Sequence, residues 1–189
     1  PGDTVVDFLP GGGYFTRLFS NVVGAEGKVY AWVPKGFEDK FNMGEEAAAA
    51  VAGRANAERL IEPLAGPGAF SDVDVVWTSQ NYHDLHTPFL GNPYVAAFNK
   101  LIFDALKPGG VFIVVDHVAA AGSGVAAADA LHRIDPAIVK AEVEAAGFVF
   151  EGESAVLANP ADTHDILVFD EKIRGKTDQF VYRFRKPAS

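Results

Sequence analysis

The segment VVDFLPGGGYFTRLF, Val5 to Phe19, decides the fold. Its opening residues are apolar apart from Asp7, as in a strand buried on both faces. Pro10-Gly11-Gly12-Gly13 stops that strand. Tyr14, Phe15, Leu18, Phe19 and Val22 then recur at three- and four-residue spacing, which predicts an amphipathic helix closed by Gly24 and Gly27. A strand with an acid near its end, a glycine turn and a helix start make a site for a nucleoside-bearing ligand. The glycines let backbone approach the ligand, and the free N–H groups of the first helical turn point at it. A dinucleotide, a phosphate and S-adenosylmethionine all fit this outline. A phosphate loop is excluded, because no Gly-Lys-Ser/Thr closes the turn. A dinucleotide fits poorly, since the third glycine of its fingerprint falls at Thr16 and the ribose-binding acid at Val33.

Outward from this segment, Val/Ile/Phe runs alternate with helical patterns, the mark of βα units around a mostly parallel sheet. Strands are predicted at Thr4–Leu9, Lys28–Val33, Glu58–Ile61, Val73–Ser79, Val111–Asp116, Phe148–Glu151 (extendable through Leu157) and Gln179–Arg185. The last alternates apolar and polar residues, as a half-exposed antiparallel edge strand does. Pro34 to Gly53 reads as loop plus Ala-rich helix, and Lys107–Gly110 as a turn. Asn92-Pro93 signals a helix start before the stripe Tyr94, Phe98, Leu101, Ile102 and Ala105. Asp135-Pro136 opens another helix that ends at Gly147. The expected architecture is one α/β domain over 1–189, a Rossmann-like doubly wound seven-stranded sheet, mostly parallel with the last strand antiparallel.

Composition narrows the function. With 189 residues the chain can bury a core without a staple. Zero Cys removes disulfides, thiolate nucleophiles and Cys-ligated metals together. Lys+Arg 16 against Asp+Glu 25, a net charge of −9, disfavours nucleic acid as partner. No apolar run approaches the roughly 20 residues that span a bilayer, so no membrane partner is expected. The chain shows no signal-peptide pattern. Pro1-Gly2-Asp3 leads straight into a strand without an initiator Met, so an upstream N-terminal segment is expected to be missing. A cytoplasmic location is the expectation, with export through a removed upstream signal left open.

Four segments in order resemble the class I S-adenosylmethionine-dependent methyltransferases, in particular a bacterial group described as predicted methyltransferases. They are VVDFLPGGGYFTRLF, DVVWTSQNYHDLH (Asp74–His86), LKPGGVFIVVDH (Leu106–His117), and the tail LHRIDPAIVKAEVEAAGF (Leu131–Phe148) with GKTDQFVYRFRKP (Gly175–Pro187). The resemblance implies S-adenosylmethionine as cofactor and methyl transfer to a small-molecule acceptor at O, N or C. It also implies that Asp7 sits near the methionine end, that Gly11 and Gly13 line the methionine and ribose portion, and that Gln80 and Asn81 face cofactor and acceptor. Leu9 and Tyr14 complete the cofactor-binding set. The family pattern departs at Leu9, where it has Gly, and at Val33, where it has an acid for the ribose hydroxyls. Those departures motivate the alternative of a non-catalytic adenosyl-binding or interaction domain with a degenerate site. A homodimer is left open.

Methyl transfer from a sulfonium needs alignment and often removal of a proton. His83, with Asp84 or Asp116 orienting its ring, is the candidate general base; the same residues could instead cap the turn after strand four. His83-x-x-His86 supplies only two local metal ligands, so no metal is expected. His117 either faces the pocket or ends its strand. Arg133 either binds an acidic acceptor or pairs with Asp135, itself the expected N-cap. Tyr14, Phe15 and Phe19 are expected in the core, with Tyr14 also within reach of cofactor. His164, Glu45, Glu46, Glu142 and Glu144 are expected to be solvated.

Overall fold

The β-branched runs do form the strands, and the glycine and proline clusters between them form the turns. The computed structural model describes residues 1–64, 70–88 and 94–188. In chain order the elements are β1 (Thr4–Phe8), α1 (Tyr14–Val23), β2 (Lys28–Pro34), α2 (Lys35–Phe41), α3 (Gly44–Val51), β3 (Ala57–Glu62) and β4 (Val73–Ser79). A 3-10 turn (His83–His86) is followed by α4 (Val95–Ala105), β5 (Leu106–His117), α5 (Ala128–Leu131), α6 (Pro136–Ala145), β6 (Val149–Ser154) and β7 (Gln179–Arg185). The helix start at Asn92-Pro93 lies outside the described residues. Among those residues, no helix is long and apolar enough to cross a membrane.

The seven strands form one sheet in the order β3-β2-β1-β4-β5-β7-β6. β1 lies inside the sheet beside the central β4, parallel to β2 (Asp7 beside Ala31) and to β4 (Asp7 beside Trp77). Only β7 runs against its neighbours. The doubly wound sheet matches the sequence expectation, but β7 is not an edge. It lies between β5 and β6. Its alternation arises because Phe180, Tyr182 and Phe184 face the core while Arg183 and Arg185 face out to Glu151. Period-two patterning reports one covered face, and an interior strand can have that too.

Lys107–Gly110, expected as a turn, is a register shift inside β5. The Gly109 N–H donates to the Lys186 carbonyl and the Lys186 N–H to that of Gly110, so β7 pairs with the segment and keeps it in the sheet. The Ala-rich stretch divides into α2 and α3, with Ala47 and Ala50 buried. Asp135 caps α6 through the Ala137 N–H at 3.0 Å, as expected.

One face of the sheet carries an aromatic core in which Phe8 meets Trp32 at 5.1 Å and Phe98 at 4.8 Å. On the other face α1 departs from its predicted orientation. Tyr14, Leu18 and Val22 are exposed, whereas Thr16, Ser20 and Val23 are buried. Small side chains let the helix lie close to the sheet. There the Thr16 hydroxyl bonds Asp7 and that of Ser20 bonds Asn56. Phe15 and Phe19, expected in the core, are half-buried against Trp77.

Candidate functional site

Strand order reverses between β1 and β4, so the chain leaves their carboxyl ends in opposite directions and opens a crevice. A cavity of about 840 Å³ occupies it. At one end lies Asp7, buried, accepting the Thr16 hydroxyl at 2.6 Å. Burial pushes its carboxyl up to about 6, against the lowering effect of the Thr16 side-chain and backbone donors. A buried acid with so little compensation suits a cationic ligand.

The turn after β1 keeps its shape without a glycine at its start. Leu9 adopts a left-handed conformation (φ 51°), donates its N–H to the Trp32 carbonyl and accepts the Asn81 amide at 3.2 Å. Its side chain is buried in the core, which offsets the roughly 1–2 kcal/mol cost of that backbone. Gly11 and Gly13 have separate tasks. Gly11 (φ 49°) borders the cavity, and a Cβ there would meet nothing within 4 Å. Gly13 (φ 74°) lies outside the lining, where a Cβ would collide with Ala50 of α3. Tyr14 is also outside it, 68% exposed, with its ring edge-on to Phe15; of the α1 aromatics, Phe15 reaches the cavity. Gln80 and Asn81 line the β4 exit, Gln80 with φ 64°. Val33 is buried in the core. On that flank the cavity meets Asn42 and Glu46, so Glu46 is an exposed acid on a helix and also a wall of the site.

At the other end the 3-10 turn presents His83. Its Nδ1 lies 2.8 Å from Asp116, which also accepts the His83 and His117 backbone N–H groups. Burial would raise Asp116, but the His83 ring and these donors hold its carboxyl below the usual range. Burial likewise works against His83 protonation, and the Asp116 charge overcomes it and raises His83. Asp116, rather than Asp84, therefore orients the ring. Asp84 lies 3.4 Å from the other ring nitrogen, Nε2, and burial pushes its carboxyl up to about 6. His132, from the C-cap of α5, brings its Nδ1 within 3.1 Å of the same Nε2. His117 faces the cavity beside them, bonded to the Thr177 hydroxyl, and burial pushes it down to about 4.

His86, the sequence-local partner of His83, points away. It bonds Glu142, which also accepts the Tyr82 hydroxyl, so Glu142 anchors the turn to α6 and is not simply solvated. Arg133 takes neither expected role. It is fully buried and bidentate to Asp162 at 2.9 and 3.0 Å, with further bonds to the Ile166 and Val118 carbonyls. His164, expected in solvent, is half-buried on Asp178 at 2.9 Å. These bonds fasten the β6–β7 connection over the site, where Val168 and Phe169 reach the cavity. Nothing in the spacing of the sequence pairs Arg133 with Asp162, or brings His132 to His83.

No family model matches this chain, and no curated protein matches it in sequence. Solved structures match along nearly its whole length. An S-adenosylmethionine-dependent methyltransferase from Aquifex aeolicus superposes with a TM-score of 0.67 at 19% identity, over 98% of this chain and 82% of that one. A putative methyltransferase in complex with the Haloferax volcanii activator Trm112 gives 0.67 at 18%, over 98% and 83%. The [4+2]-cyclase SpnF gives 0.69 at 15%, over 100% and 76%. The fold is therefore that of the class I S-adenosylmethionine-dependent methyltransferases.

Proposed function

We propose that this protein binds S-adenosylmethionine in the cavity at the β1–β4 edge and transfers its methyl group to a small-molecule acceptor. The observation that carries this reading is the buried, poorly compensated Asp7 beside the open Gly11 turn. The donor set fits the cofactor: Asp7 meets its cationic amino-acid end, and Gly11 leaves room for close approach. Glu46 takes the ribose hydroxyls that Val33 cannot. When bound, the cofactor supplies a methyl group already activated on a sulfonium. About 840 Å³ accommodates such a ligand and a small acceptor together.

His83 and Asp84 serve the acceptor. Asp116 fixes the His83 ring with Nδ1–H toward itself, which turns Nε2 to the cavity as a proton acceptor. Phe15 and Met43 supply apolar wall to the same cavity. A second reading, adenosyl binding without turnover, is favoured only by Val33 and Leu9. Calorimetric titration with S-adenosylmethionine, S-adenosylhomocysteine and NADH tests the cofactor, and a mass-spectrometric screen of small acceptors tests transfer. Binding with no product from any acceptor class would favour the second reading. Binding of NADH alone would refute both.

A further inference from the structure

We propose that His83 Nε2, His132 Nδ1 and Asp84 Oδ1 bind a divalent first-row transition metal, of the zinc or cobalt kind, at the acceptor end of the cavity. The three atoms are 3.1, 3.4 and 3.9 Å apart. Metal–ligand bonds of about 2.1 Å place neighbouring ligand atoms roughly 3.0 Å apart at right angles and roughly 3.4 Å apart at a tetrahedral angle. Two of the separations lie in that window. The third, between His132 and Asp84, must shorten by about 0.5 Å to enter it, and the His132 side chain, which rests on Phe169, is one-third exposed.

The surroundings favour a cation there. With the His83 Nδ1–H committed to Asp116, the Nε2 lone pair and the Asp84 carboxylate face each other, and electron pairs so close require a proton or a metal between them. A carboxylate on the second nitrogen of a metal-bound histidine is the usual way to fix its tautomer. Among the described residues no Lys or Arg lines the cavity, whereas Asp7, Glu46, Asp84 and Asp129 do. The nearby guanidinium of Arg133 is occupied by Asp162. Imidazole ligands favour zinc, cobalt or iron over magnesium or calcium. Three protein ligands leave coordination positions open toward the cavity.

An acceptor bearing an oxygen donor would fill those positions. This last step rests on the methyl-transfer reading; metal binding does not. A bound metal uses the His83 Nε2 lone pair, so His83 is then a ligand and the cation activates the acceptor oxygen.

The test is titration of the purified, metal-stripped full chain with Co²⁺, following visible d–d absorption, and calorimetry with Zn²⁺, both without adenosyl ligand. The expectation is saturation at one equivalent, with affinity lowered about tenfold or more in His132→Asn and in Asp84→Asn. His86→Ala should bind as the parent does, since His86 faces Glu142. Circular dichroism identifies any variant that fails to fold, and His132→Asn, altering a partly exposed side chain, is the variant that decides. Absence of one-equivalent binding, or undiminished binding in folded His132→Asn, would overturn the proposal. Metal binding without S-adenosylmethionine binding would uphold the metal site and refute only the methyl-transfer reading. Adenosyl binding without metal binding would do the reverse.

Discussion

Asp7→Asn keeps the shape of a buried side chain and removes its charge, so it separates what the fold needs at this position from what a ligand needs. The carboxyl is raised from 3.8 to about 6 by burial, so ionising it in the folded state is unfavourable. Two units at 1.36 kcal/mol each give roughly 3 kcal/mol that the parent loses at about pH 8. The sign follows from proton uptake. Between 3.8 and about 6 the folded state binds more protons than the unfolded one, so parental stability falls as pH rises through that window. Asn still accepts the Thr16 hydroxyl, and the charge-assisted part of that bond is already contained in the net rise to about 6. The net expectation is a variant more stable than the parent by about 3 kcal/mol near pH 8, with the advantage gone near pH 4. Urea denaturation of both proteins at the two pH values measures the gap, and groups common to both cancel. The same variant should lose affinity for S-adenosylmethionine. A variant less stable than the parent at pH 8, or a gap independent of pH, would refute the claim that Asp7 is held against an electrostatic cost.

The two glycines of the turn should separate. Gly11→Val costs about 2 kcal/mol of backbone strain and keeps the fold but blocks adenosyl binding, whereas Gly13→Ala collides with Ala50 and loses more stability than that; melting and titration that found them alike would contradict the division. Glu46→Gln should weaken S-adenosylmethionine binding about tenfold with an unchanged melting temperature, since the lost bond involves a charged acceptor worth roughly 1.5 kcal/mol. Unchanged affinity would remove Glu46 from the ribose. Arg133→Ala leaves Asp162 buried without its partner and should cost about 3–5 kcal/mol in denaturant unfolding. A loss under about 1 kcal/mol would mean that the β6–β7 connection is held by other contacts.

Local patterning carried the strands, because a buried β1 or β4 must be built from Val, Ile and Phe whatever surrounds it. It failed where tertiary placement decided. The alternation of β7 was visible, but which strands flank it depends on the return path from α6. The spacing of Tyr14, Leu18 and Val22 predicted a buried stripe, yet Thr16 and Ser20 turn inward, where their hydroxyls bond Asp7 and Asn56. That Asp7, Gly11, Gln80, Asn81, His83 and Asp84 gather on one cavity was legible, because the strand ends carry them to one edge. His132 and Glu46 were not. They arrive from helices whose approach is set by packing, and in sequence they look like an ordinary loop histidine and a solvated acid. Arg133 was singled out, but its buried partner lies on a connection with no periodic signal.

The measurement that bears most directly on the account is calorimetric titration of the parent, Asp7→Asn and Gly11→Val with S-adenosylmethionine. One saturable site is expected in the parent, lost in both variants while they remain folded. Binding retained in both variants, or no adenosyl binding by a folded parent, would contradict it.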